Sequence, residues 1–134
     1  MLLTVETHAS TEFVDITADI NAQLRASGAP RTGLCHLFVP HTTAAITINE
    51  SADPSVRQDI LKILNQVVPF ESAYGHLEGN SAAHIKSTLV GASELIALSD
   101  GRLRLGTWQG VFFCEFDGPR SRKVQIEIVA GHRP

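Results

Sequence analysis

Gly33-Leu34-Cys35-His36-Leu37-Phe38-Val39-Pro40-His41-Thr42-Thr43-Ala44-Ala45-Ile46-Thr47-Ile48-Asn49-Glu50 is the stretch that decides the fold class. Residues 33–39 are nearly all apolar, the pattern of a central strand covered on both faces. Pro40 has no N–H to give to a ladder and ends it. Residues 44–49 then alternate, with Ala44, Ile46 and Ile48 on one face and Thr47 and Asn49 on the other, which predicts a second strand.

The pattern continues on either side. Residues 2–7 and 12–16 read as strands around the polar turn His8-Ala9-Ser10-Thr11. Thr17 is placed to cap a short helix in which Ile20 and Leu24 lie one turn apart, closed by Gly28 and barred from extension by Pro30. Asp53-Pro54 is a strong helix entry. Val56, Ile60, Ile63, Leu64 and Val67 follow as one apolar stripe, expected to pack, on a helix stopped by Pro69. Ser81 is the predicted N-cap of a third helix, with Gly91 ending it in a left-handed conformation. Leu95–Leu98 and Leu103–Leu105 flank the hairpin signal Ser99-Asp100-Gly101. Gly106-Thr107-Trp108-Gln109-Gly110 interrupts the strand pattern, as at a bulge or bend where the backbone approaches something closely. Residues 111–116 and 122–129 are further strands around the turn Asp117-Gly118-Pro119-Arg120-Ser121. Seven or eight strands joined mostly by short turns, with about three helices, predict one α+β domain over residues 1–134, its folded sheet mainly antiparallel.

The composition narrows the function classes. With 134 residues, 43% hydrophobic and 19% charged, the chain is long and apolar enough for a real core. A net charge of −3 offers no general attraction for nucleic acid or an anionic membrane. No apolar run approaches the roughly 20 residues of a membrane span, and the N-terminus lacks a secretory pattern. Cys35 and Cys114 lie within apolar runs and read as buried, reduced thiols, so a cytoplasmic protein is expected. There is no strand followed by G-x-G-x-x-G, no G-x4-G-K and no G-x-S-x-G, hence no support for a nucleotide-binding α/β fold or a serine-nucleophile elbow.

Candidate chemistry concentrates in Gly75-His76-Leu77-Glu78-Gly79-Asn80-Ser81-Ala82-Ala83-His84-Ile85-Lys86-Ser87. His84 falls in the first turn of the third helix, where the helix dipole disfavours imidazolium, and metal coordination needs a neutral ring. Gly79 lets His76 turn back towards it. The spacing is not a diagnostic metal motif, and the same residues also read as a polar turn leading into a surface helix. His41 stands at the end of a buried strand rather than on an amphipathic surface. Glu50 ends the next strand. Glu115 lies among Phe112, Phe113, Cys114 and Phe116; turned inward such a carboxylate needs a cation or several donors, and strand alternation equally allows it to face water. Arg120, Arg122 and Lys123 form a small basic cluster suited either to solvent or to phosphate.

His41-Thr42-Thr43-Ala44, Thr47-Ile48-Asn49-Glu50, Asp53-Pro54, His76-x-Glu78-Gly79-Asn80, His84-Ile85-Lys86 and Gly106-Thr107-Trp108-Gln109-Gly110 occur in an order that closely resembles the YjbQ-like family, commonly labelled secondary thiamine-phosphate synthase. The resemblance spans about Gly33 to Val129. It departs at Ala82, where many members carry aspartate. It implies a homotrimer and a histidine-lined site at or near a subunit boundary. His41, His76 and His84 would then be metal ligands, with zinc suited to three imidazoles and an open fourth position. Glu50, Glu78 and Lys86 would be catalytic, and Asn49, Asn80, Trp108, Gln109, Glu115 and Arg120 would contact a small, phosphorylated substrate. A metal-dependent hydrolase and a non-enzymatic ligand-binding trimer are the other functions compatible with this set.

Overall fold

The computed structural model describes residues 1–76 and 78–132. The opening strand forms as β3 (Thr32–Phe38), central in a five-stranded sheet. β5 (Ser93–Ser99) pairs with it on one side and β8 (Ser121–Ala130) on the other, while β1 (Leu2–Glu6) and the short β6 (Arg102–Leu103) form the edges. The alternating segment forms as β4 (Ala44–Glu50), but in a second sheet of three strands. There β7 (Gln109–Glu115) is central, with β2 (Glu12–Asp15) on its other side. Among the described residues every strand pairing is antiparallel.

The two sheets pack face to face. Leu37, Ile96, Val124 and Ile126 from the larger sheet and Ala44, Ile46, Val111 and Phe113 from the smaller join one buried cluster, completed by Ile20 and Leu24 of α1 (Thr17–Ala26). On its other face the small sheet carries Phe13, Ala45, Phe112, Cys114 and Phe116, covered by α2 (Pro54–Val67) and α3 (Ser81–Val90). The order of layers is five strands, three strands, two helices. Both thiols are buried, and desolvation raises the Cys35 pKa to about 11 and holds that of Cys114 well above the ordinary thiol value. No helix among the described residues is long and apolar enough to cross a membrane.

Several local expectations change. Thr17 is the first residue of α1 rather than its cap: Asp15 Oδ1 accepts both its N–H and its hydroxyl, and Thr17 Oγ1 accepts the Val111 N–H. Asp53 caps α2 as expected, its Oδ1 accepting the Ser55 N–H at 2.9 Å. The α2 stripe packs only in part. Ile60, Leu61 and Leu64 lie against the core, but Ile63 and Val67 are exposed, because the helix meets the sheet along a narrow line. Ser81 is already helical and Asn80 precedes it, with no side-chain cap from either. Gly91 ends α3 at φ 102° and ψ 156°, an extended conformation of positive φ instead of the left-handed helical one. The close approach expected around Trp108 falls at Gly110, where a Cβ would stand 2.7 Å from the Ser51 Cβ.

Candidate functional site

His84 projects from the first turn of α3, and His76 comes back over it from the incoming loop. Their rings meet edge to face, 5.4 Å between centroids at an interplanar angle of 84°. Glu78 Oε2 lies 3.7 Å from His76 Nε2. A cavity of about 310 Å³ opens beside the pair, bordered by Tyr74, Ser81 and Ile85. His84 also lines a second cavity of about 390 Å³, which it shares with His41, Thr42, Ser87 and Thr88. His41 in turn borders a third, of about 520 Å³, together with Phe38, Thr43, Arg120 and Arg122. The three histidines thus mark successive hollows along one surface, joined at His84 and His41.

His41 is held by the neighbouring strand: its Nε2 accepts the Lys123 backbone N–H at 2.9 Å. Burial, and then the positive charge of Arg122, lower its pKa, which favours the neutral ring. Arg122 is itself fixed below the cavity. Its Nε donates to Glu115 Oε1 at 2.9 Å and its Nη2 to Thr43 Oγ1, also at 2.9 Å. Glu115 is fully buried, so it faces Arg122 and not a substrate. Burial alone would raise its pKa, but the bonds from Arg122, the Thr7 hydroxyl and the Asp117 N–H outweigh that and hold it below the usual carboxylate value. Arg120 leans on Asp117 through Nε to the backbone oxygen and Nη2 to the carboxylate.

Asn80 Nδ2 donates to Asp117 Oδ2 at 3.0 Å, tying the start of α3 to the loop that carries Arg120. Two buried polar atoms nearby, Asn80 Oδ1 and the Ser87 hydroxyl, lack a partner among the described residues. Ser87 lines the cavity between His41 and His84, with its hydroxyl oxygen turned out of solvent.

The other expected site residues lie elsewhere in the chain. In the small sheet Ala44 pairs with Glu115 at the histidine end, and Asn49 and Glu50 pair with Gly110 and Gln109 at the opposite end. Six strand residues separate the two ends by about 20 Å. Within one chain Glu50, Asn49, Gln109 and Trp108 therefore do not meet the histidines. Trp108 is 63% exposed and Gln109 Oε1 accepts the Gly106 N–H. Lys86 lies two positions from His84, on the other side of α3, where its buried Nζ donates to Asn65 Oδ1 at 2.6 Å. Desolvation lowers its pKa. Residues that the sequence did not single out as site residues are Tyr74, Ser87 and Asp117. Ser87 sits at i+3 from His84, a spacing visible in the sequence once the helix is placed.

A resident ion on three imidazoles does not fit this arrangement. Among the described residues no three His, Cys, Asp or Glu side chains are placed to hold one metal, and the Nε2 lone pair of His41 is already engaged.

The family model described as "UPF0047 protein YjbQ-like" matches residues 1–131. The chain is 50% identical to the UPF0047 protein MJ1081 of Methanocaldococcus jannaschii over 93% of its length and 90% of that protein. It is 48% identical to the UPF0047 protein YugU of Bacillus subtilis, covering 95% and 96%. A crystal structure of a YjbQ/UPF0047-family protein from Clostridium acetobutylicum superposes with a TM-score of 0.91 at 48% identity, over 96% of this chain and 99% of that one.

Proposed function

The chain belongs to the UPF0047 YjbQ-like family, and from that premise we propose that it is an enzyme of small phosphorylated molecules, its site running from His76 and His84 to His41. The reaction that the family resemblance suggests joins a pyrimidine pyrophosphate to a thiazole phosphate. The C–O bond to the diphosphate breaks, its electron pair leaving with pyrophosphate, while the thiazole ring nitrogen forms the new C–N bond. Such a step needs hydrogen-bond donors where negative charge collects and an apolar wall for the pyrimidine. The observation that carries this reading is His41, shared between the His84 cavity and the cavity bordered by Arg120 and Arg122. Tyr74, beside His76 and His84, is the aromatic wall available within the chain, a role that Trp108 does not reach.

One observation favours a second reaction. Glu78 beside His76 forms a carboxylate–imidazole pair of the kind that activates water, suited to hydrolysis of a phosphate ester. Zinc belongs to this proposal only through His76 and His84, with further donors coming from a substrate or a neighbouring copy, so neither reaction above is routed through it.

A homotrimer also forms part of the reading. Leu2, Leu34, Phe38, Leu95 and Val129 all stand exposed on the outer face of the five-stranded sheet, and Ile63, Val67 and Phe70 stand exposed on the helical side. Two different apolar faces on one chain suit a head-to-tail contact that closes into a ring. Phe38 also borders the His41 cavity, so a copy seated on the sheet would lie close to the site.

The test is to incubate the purified protein with both thiamine precursors, and separately with phosphate monoesters, alongside His84→Ala. Thiamine phosphate formed well above the variant's background supports the synthase reading. Hydrolysis without condensation transfers the assignment to the second reaction. Ligand retention without turnover of any substrate leaves a binding protein.

A further inference from the structure

The cavity of about 520 Å³ beside His41 has donors on several sides and no carboxylate in its lining. The hydrogen bonds of Arg122 run from Nε and Nη2, and the polar contacts of Arg120 also use Nε and Nη2, which leaves each guanidinium an Nη1 edge. Thr42 and Thr43 bring two hydroxyls. His41 is constrained further. Because its Nε2 accepts the Lys123 N–H, a neutral ring carries its proton on Nδ1, and the ring presents a donor. A ring in that state has no free lone pair to give an ion.

We propose that this cavity is the oxyanion subsite of the histidine site, in which Arg120, Arg122 and the Nδ1–H of His41 hold phosphoryl oxygens, so that His41 recognises the substrate's phosphate and is not a metal ligand. This rests on the reading that the site handles phosphorylated molecules, and it names the part that holds the phosphate. Planar guanidinium edges suit a tetrahedral oxyanion, and the pairing of both arginines with carboxylates fixes them before the ligand arrives. Inorganic pyrophosphate is the minimal occupant.

Pyrophosphate binding measured by titration calorimetry on the full chain tests this, with Arg120→Gln and His41→Phe as variants and thermal melts reporting their folding. The expected result is at least a tenfold loss of affinity in each. Unchanged affinity in both folded variants overturns the proposal. Should His41→Phe not fold, nitrogen-15 imidazole spectra of the wild-type chain decide. A protonated Nδ1 on His41, unmoved when zinc is added, supports the proposal. A protonated Nε2, or a His41 signal that shifts with zinc as that of His84 does, overturns it. Pyrophosphate binding without turnover removes the synthase reading alone, whereas turnover with unaltered affinity in both variants removes the subsite alone.

Discussion

Arg122 and Glu115 meet entirely out of water, Nε to Oε1 at 2.9 Å, beneath the cavity that His41 and Arg120 border. A buried pair of this kind gives little net stability relative to apolar replacements, but losing one partner strands the other charge. Glu115→Gln should therefore cost about 3–5 kcal/mol, a fall in melting temperature on the order of 10 °C or more for a domain of this size. Since Glu115 titrates below its ordinary value, its contribution is complete above the ordinary carboxylate range and is lost as pH falls through the depressed value. The variant should accordingly show a shallower decline of stability in acid. Melts from neutral pH downwards check both points, and a Glu115→Gln chain as stable as the parent would contradict the buried pair.

Lys86 has the opposite standing: it is 3% exposed, and the partner of its Nζ is the neutral Asn65. A lysine whose folded pKa lies below the ordinary 10.5 destabilises the fold at neutral pH. That penalty is absent above 10.5 and grows as pH falls towards the lowered folded value, because the unfolded chain takes up the proton first. Ala82 lies one turn earlier on α3, also buried. Ala82→Asp would place a carboxylate at i, i+4 from Lys86 in the favoured order and near the positive end of the helix. The expected outcome is a higher melting temperature at neutral pH, with the gain shrinking in strong alkali. A loss of stability at neutral pH would show that the site cannot admit the carboxylate.

Much of the architecture was legible because it follows from local periodicity. The alternation at 44–49 and the Asp53-Pro54 entry led to the elements they predicted, and the apolar run at residues 33–39 led to a central strand, but one covered on a single face: Leu34 and Phe38 stand exposed on the other. What could not be read was which strands share a sheet. β3 and β4 are neighbours in sequence yet belong to different sheets, a choice made by long-range pairing with β8 and β7. The same limit applies to the site. His76 and His84 are close in sequence and meet in space, whereas Glu50 and Gln109 pair with each other at the end of the small sheet away from Glu115. In the sequence Glu115 read either as a core carboxylate needing a cation or as one facing water; that it turns inward, and that the cation is Arg122, depends on sheet packing and on the turn between β7 and β8.

The contact between His76 and His84 gives a prediction for metal content. If zinc enters the site through these two rings, His84→Ala and His76→Ala should each lower bound zinc severalfold after anaerobic loading and desalting, with helical content unchanged. His41→Phe should retain the wild-type stoichiometry, since its Nε2 is engaged by Lys123. Elemental analysis of the four proteins provides the comparison. Equal zinc in all of them would place any ion away from the histidines.

The uncovered face of the five-stranded sheet gives the last prediction. Leu34 and Val129 are paired across β3 and β8, and Leu95 stands on the same face on β5, opposite His36. All three are exposed in the single chain. Covering such a patch yields roughly 25 cal/mol per Å² of apolar area removed from water, less the cost of association. Leu34→Glu and Leu95→Glu leave the core untouched, because both side chains point away from it, so the isolated fold should lose little stability. In the proposed trimer the same changes would bury charge without a partner. Light scattering of the parent should give three times the 14.5 kDa chain mass, and that of the double variant should give the chain mass itself. If turnover on phosphorylated substrates falls along with assembly, a neighbouring copy completes the cavity beside Phe38. Full activity in a monomeric double variant would assign the whole site to one chain.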